Sequence, residues 1–157
     1  MEITQNQTLE MQNLLSYRGR MTQQEFTAKA QEIERILQEH GAQKDAPIVT
    51  TTFSVEQGAM GPIMDAEILV PLNKEIPVPS GYVWKPQFLL TNAVKLHHVG
   101  NPSGLQNSVD ELTDYMRMHH LTPVTSGYNV TLKEAHTLLE LDAMEIDVYV
   151  GISPNVL

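Results

Sequence analysis

No cysteine occurs in the chain, so disulfide staples and a cysteine nucleophile are both excluded. Positive charge is scarce as well. Ten Lys and Arg stand against 19 Asp and Glu, a formal charge of −9 that repels phosphate backbones and anionic membrane surfaces at long range. Neither nucleic acid nor a membrane is therefore expected as a direct partner. No apolar run approaches membrane-spanning length, and Met1-Glu2-Ile3-Thr4-Gln5-Asn6 lacks the basic and apolar regions of a signal peptide. The sequence also lacks a glycine-flanked serine elbow and a phosphate-cradling glycine loop. These absences point to a soluble cytoplasmic protein with no cofactor, no metal and no catalytic residue to name. What is present is enough apolar material, 41% of 157 residues, to bury a real core as a single domain spanning residues 1–157.

One stretch organises the rest. Met144-Glu145-Ile146-Asp147-Val148-Tyr149-Val150-Gly151-Ile152 alternates apolar and polar residues as a half-buried strand does. Its twin, Met64-Asp65-Ala66-Glu67-Ile68-Leu69-Val70-Pro71-Leu72, lies in the first half of the chain and has the same phase, methionine for methionine and acid for acid. A one-residue slip would turn every side chain to the wrong face, so shared phase suggests one module used twice, as residues 1–78 and 79–157.

The remaining segments repeat in the same order. Leu9 to Tyr17 alternates as a strand, with Asn13 out of pattern, and Arg18-Gly19-Arg20 is expected to break it. Thr22 and Glu25 form a capping box, Gly41 supplies a stop, and Phe26, Ala30, Ile33 and Leu37 make one helical stripe between them. Ile48 to Val55 is β-branched and extended, followed by a turn at residues 57–62. Asn73 to Pro86, rich in proline, reads as the connector between modules. In the second half, Phe88 to Val99 reads as a strand and Ser103 with Gln106 as a capping box. Leu105, Val109, Leu112 and Met116 then repeat the stripe of Phe26, Ala30, Ile33 and Leu37 with the same internal spacing. Val124 to Val130 is the next strand, while Thr131 to Asp142 suits either a short helix or continued pairing and has no counterpart of its length in the first half.

The two key strands turn Met64, Ala66, Ile68 and Val70, and Met144, Ile146, Val148 and Val150, toward the helices. The other face carries Glu67, Asp147 and Tyr149, and on the next strand Tyr128 shares a face with Ser126 and Val130 by parity. This second face is either a solvated sheet surface or the wall of a ligand groove. Tyr82 and Trp84, in the connector, either stack on a ligand or cover the sheet. The histidine pairs His97-His98 and His119-His120 are poor chelates, because neighbours on a strand point to opposite faces and neighbours on a helix diverge by about 100°. The second pair suits a helix C-terminus instead.

The order of elements, the strand ending His98-Val99-Gly100 before a helix, and the terminal Ile146 to Pro154 together resemble the gyrase-inhibitor-like superfamily, which includes effector-binding domains of multidrug-response regulators. The resemblance covers nearly the whole chain through short apolar patterns. It implies an α+β fold of duplicated strand-helix-strand-strand modules about a pseudo-twofold axis, forming one antiparallel sheet with two helices packed on it and a small-molecule groove between the modules. Family members often carry a glutamate two residues before a tyrosine to attract cationic ligands; here Ser126 stands two residues before Tyr128. An aromatic residue commonly follows the glycine after the fourth strand, where this chain has Asn101. With no basic helix-turn-helix segment ahead of the domain, the resemblance implies a free-standing version.

The function expected is non-covalent binding of a small apolar or amphipathic molecule through Phe53, Glu67, Trp84, Ser126, Tyr128, Asp147 and Tyr149. Two alternatives stand beside it. One is hydrolysis of a strained or ester substrate, for which Glu67 and Tyr128 could serve; the other is a protein partner pairing with an exposed strand.

Overall fold

The computed structural model describes residues 2–153, so Pro154 of the terminal motif lies outside the described residues. The chain is α+β, with β1 (Glu2–Met21), α1 (Gln23–Glu39), β2 (Val49–Gly58), β3 (Gly61–Pro71), β4 (Val83–Val99), α2 (Leu105–Met118), β5 (Tyr128–Lys133) and β6 (Glu145–Gly151). Short 3₁₀ turns occupy Pro102–Gly104 and Leu138–Ala143. No described helix is long and apolar enough to cross a membrane. Contacts divide the chain into a unit of Met11–Phe88 and a second unit whose described part is residues 2–10 with 89–153.

In the Met11–Phe88 unit, β3 lies between β1 and β2 and pairs antiparallel with both. The alternation along β3 sends Ile68 and Val70 toward α1, where they pack with Leu15, Ile33, Ile36 and Leu37. The capping box at Thr22 forms as the sequence predicts: the Glu25 amide donates to Thr22 Oγ1 and the Thr22 amide donates to Glu25 Oε1. At the other end, Gly41 takes φ +60°, the left-handed conformation a helix C-terminus favours.

The second unit places β6 between β4 and β5, again antiparallel to both. Ile146, Val148 and Val150 pack with Val94, Leu96, Leu112 and Met116, so the α2 stripe also faces its own sheet. The expected capping box at Ser103 does not form. Asn101 instead accepts from the Ser103 amide at 3.0 Å and caps a 3₁₀ turn through Pro102, so α2 starts only at Leu105 with no side-chain cap.

Backbone contacts recur in the same order in both units. The Leu72 amide donates to the Asn13 carbonyl, and the Ile152 amide to that of Asn92. Both asparagines have positive φ, +56° and +52°. Ala42 to Leu37, Asp45 to Pro71 and Asn73 to Gln43 recur as Leu121 to Met116, Val124 to Gly151 and Ser153 to Thr122. A bulge skips Phe53 between β2 and β3, and another skips Leu132, at the same sequence offset as the two asparagines, between β5 and β6. That offset grows by one only at β6, where His97 faces Asp147 as Arg18 faces Glu67 on β3.

Several boundaries differ from the sequence expectation, each for a local reason. Arg18-Gly19-Arg20 continues β1, because Glu67, Ala66 and Asp65 of β3 pair with it residue for residue. Asn13 breaks the alternation because its left-handed backbone resets the pleat, leaving Leu14 and Leu15 both buried. The connector ends earlier than Pro86: β4 begins at Val83, so Trp84 and Pro86 are strand residues. Conversely, β5 begins only at Tyr128, since Val124 is engaged by the Gly151 carbonyl outside regular pairing. The segment after Thr131 does have a counterpart. Residues 134–144 stand where the first unit has residues 55–64, the arm of the β2–β3 hairpin that closes at Gly58–Gly61, and the single extra residue accounts for the larger offset at β6.

Candidate functional site

Each central strand buries its acid on the face away from its helix. Glu67 is 6% exposed and Asp147 5%, so the solvated-surface reading of that face fails for both. Burying a carboxylate costs heavily unless it is paired, and each is paired inside its own unit.

In the Met11–Phe88 unit, Glu67 Oε2 accepts from Ser16 Oγ at 2.5 Å and from Lys85 Nζ at 2.6 Å. Strand pairing explains this: Ser16 faces Leu69, the next residue of β3 on the same side, while Lys85 comes from the start of β4. Thr51 faces Glu67 from β2 and is fully buried, and Leu14, Val49 and Leu69 fill the rest of that face with no exposure. Arg18 lies opposite Glu67 on the ladder. Its guanidinium pairs with Asp65 at 3.0 Å and lies 4.0 Å from the ring centre of Phe53, which the bulge turns out to 37% exposure. The arginine holds the Asp65 carboxyl below the usual range.

Trp84 does not join this group. Successive strand residues point to opposite sides, so while Lys85 reaches Glu67, Trp84 packs against the core cluster of Leu15, Ile33, Ile68 and Tyr82. Tyr82 there donates to Glu32 at 3.2 Å and lies tilted against Tyr17, with burial and the nearby carboxylate pushing its phenol well up.

In the second unit, His97 Nδ1 donates to Asp147 Oδ1 at 2.6 Å, and its Nε2 lies 3.3 Å from Glu145 Oε1. His98 points the other way, with Nδ1 2.9 Å from Ser108 Oγ. The two rings therefore diverge as strand parity demands, and among the described residues no group of three His, Asp or Glu could hold a metal ion. Tyr128 and Lys95 face Tyr149 from either side on β5 and β4. Burial, with the Asp147 charge behind it, raises the Tyr149 phenol above its ordinary value. Ser126 sits in the loop before β5, not on the strand, so parity does not carry it onto the Tyr128 face.

The structure thus groups Glu67 with Ser16, Thr51 and Lys85, and Asp147 with His97, Tyr149 and Tyr128. Sequence reasoning missed Ser16, Thr51 and Lys85, and it weighed His97 only as a chelate. Ser16 carried no signal of its own in a strand that also holds Gln12, Asn13 and Arg18, and Lys85 was hidden by the proline-rich setting that disguised the start of β4.

No family model matches the chain, and no curated protein matches it. Solved structures do share its fold. The C-terminal domain of EcmrR superposes with a TM-score of 0.72 at 13% identity, covering 98% of this chain and 99% of that one. In a complex of EcmrR with DNA the TM-score is 0.75, and there this chain spans 57% of the EcmrR chain. SAV2435 bound to tetraphenylphosphonium matches with a TM-score of 0.55 at 12% identity, over 98% of this chain and 93% of that one. A hydrolase from Listeria innocua matches at 0.56 and 15% identity, over 97% and 91%. At these identities the likeness is one of fold: the chain has the fold of the EcmrR C-terminal domain.

Proposed function

We propose that this chain is a cytoplasmic small-molecule-binding protein of the gyrase-inhibitor-like class, a duplicated module that takes an apolar or amphipathic ligand against the faces bearing Glu67 and Asp147. The observation that carries the reading is the burial of organised polar groups on those faces. A sheet needing only a core would fill them with apolar side chains, and the face of β3 toward α1 does so with Ile68 and Val70. Specific pockets instead combine apolar walls with a few fixed polar groups, the mixture that Leu14, Val49 and Leu69 make with Glu67, Ser16 and Thr51. The likeness to SAV2435, solved with tetraphenylphosphonium, and to the C-terminal domain of EcmrR agrees with it.

Calorimetric titration with triphenylphosphine oxide, a neutral triaryl probe, tests the reading. Binding should weaken at least tenfold in Tyr128→Ala or Tyr149→Ala while the fold, followed by circular dichroism, persists. Affinity that survives both substitutions would remove the aromatic wall from the proposal.

A second reading is hydrolysis, favoured by the likeness to the Listeria innocua hydrolase and by the His97–Asp147 pair, whose geometry suits a general base. Ester turnover that vanishes in Asp147→Asn with binding intact would establish it over simple binding.

A further inference from the structure

Resting on the binding reading, we infer that the ligand is uncharged or anionic, and that organic cations are disfavoured although the chain carries a net charge of −9. A buried carboxylate attracts a cationic ligand only if its charge is not already matched. Here both are. Lys85 Nζ sits 2.6 Å from Glu67 Oε2, and Ser16 Oγ occupies the same oxygen at 2.5 Å. His97 Nδ1 holds Asp147 at 2.6 Å. A cation reaching Glu67 would have to displace an ammonium of its own sign.

The lysine also gives an anion something to meet. Its side chain is 37% exposed whereas that of Glu67 is 7% exposed, so the solvent-reachable member of the pair is the positive one. In the second unit Lys95 faces Tyr149 across the ladder, next to the His97–Asp147 pair. A carboxylate, phenolate or other soft anion on an aromatic frame suits this arrangement. The overall negative charge acts differently: it draws cations to the surface at long range, and salt screens that attraction.

Tetraphenylphosphonium, tetraphenylborate and triphenylphosphine oxide provide a cation, an anion and a neutral molecule of related shape. Each is titrated calorimetrically into the full chain at 0.15 M and 0.5 M sodium chloride. The expected result is that the borate or the phosphine oxide binds at least tenfold more tightly than the phosphonium at both salt concentrations. Lys85→Met should then raise phosphonium affinity at least tenfold, and Glu67→Gln, which leaves the lysine unmatched, should raise borate affinity instead. The double variant Glu67→Gln/Lys85→Met removes both charges and should abolish both gains, which separates a charge effect from damage to the fold. Phosphonium binding as tightly as the others in the parent, or unmoved by Lys85→Met while Glu67→Gln leaves borate unmoved, overturns this inference and leaves the binding reading standing. Failure of all three probes to bind parent and variants overturns the binding reading itself.

Discussion

The two units share a recurring set of backbone contacts and differ in polar chemistry. Hydrogen bonds to Asn13 and Asn92, the helix-ending contacts of Ala42 and Leu121, and the bulges at Phe53 and Leu132 recur at one spacing. Yet the buried acid is held by a lysine and a serine in one unit and by a histidine in the other. Ladder positions that hold Val49 and Leu69 in the first unit hold Tyr128 and Tyr149 in the second. The hairpin arm of the first becomes a 3₁₀ segment in the second, with Leu138 and Leu139 exposed. Backbone geometry is constrained by register, where a one-residue slip inverts every face. Side chains on the face away from the helix are constrained only by mutual satisfaction, so they can differ between the units.

Equivalent helix stripes should respond alike, and here the largest effect is expected. Ile33→Ala and Leu112→Ala each delete a buried side chain, 2% and 0% exposed, between helix and sheet. Each should cost about 2–5 kcal/mol in urea denaturation. A large loss in one and a surface-sized loss in the other would break the equivalence of the units at their cores.

The buried acids should separate the units. Lys85→Met strips Glu67 of its cationic partner but leaves Ser16, and the lysine is partly solvated, so a loss of about 1–3 kcal/mol is expected. His97→Asn keeps a donor near Asp147 and should cost less. Denaturation midpoints of both variants at one pH check the order; the reverse order would mean that the histidine, not the lysine, is the tighter partner.

Positive-φ asparagines offer a sharper test of shared backbone. Asn tolerates the left-handed region better than other residues with a Cβ, and Gly better still. Asn13→Ala should therefore destabilise by about 1 kcal/mol and Asn92→Ala, which also loses the Nδ2 donation to the Ile152 carbonyl at 3.2 Å, by more, while at each position the Gly variant should cost less than the Ala variant. If only one position shows this pattern, the recurrence is geometric without being energetic.

Much of this was legible in the chain, and the exceptions have physical causes. Helix stripes and the two central strands were readable because burial imposes a period on them. The starts of β4 and β5 were not, because β4 runs extended through Pro86 and the Gly151 carbonyl captured Val124 ahead of β5. The burial of Glu67 and Asp147 was hidden for a related reason. Alternation shows which residues share a face, but not whether that face is covered, and Glu67 depends on Lys85, distant in sequence and masked by prolines.

The smallest effect concerns how the two helices end. After α1 the chain passes through Gly41 at φ +60°, and after α2 through His120 at +56°, with matching hydrogen bonds to the Gln38 and Arg117 carbonyls. The left-handed turn is free for glycine and strained for a residue with a Cβ. Glycine, however, also carries a more flexible unfolded chain, which offsets part of the gain. His120→Gly should therefore stabilise the protein by only about 0.5–1 kcal/mol. Gly41→Ala should cost a similar amount, since the nearest atom to a new Cβ is the flexible Lys74 Nζ at 3.6 Å and the penalty is one of backbone conformation, not collision. Thermal denaturation of the two variants side by side should give shifts of opposite sign. A destabilised His120→Gly would show that the imidazole contributes at the helix end more than its backbone strain removes, and that the second unit has replaced glycine with an interaction of its own.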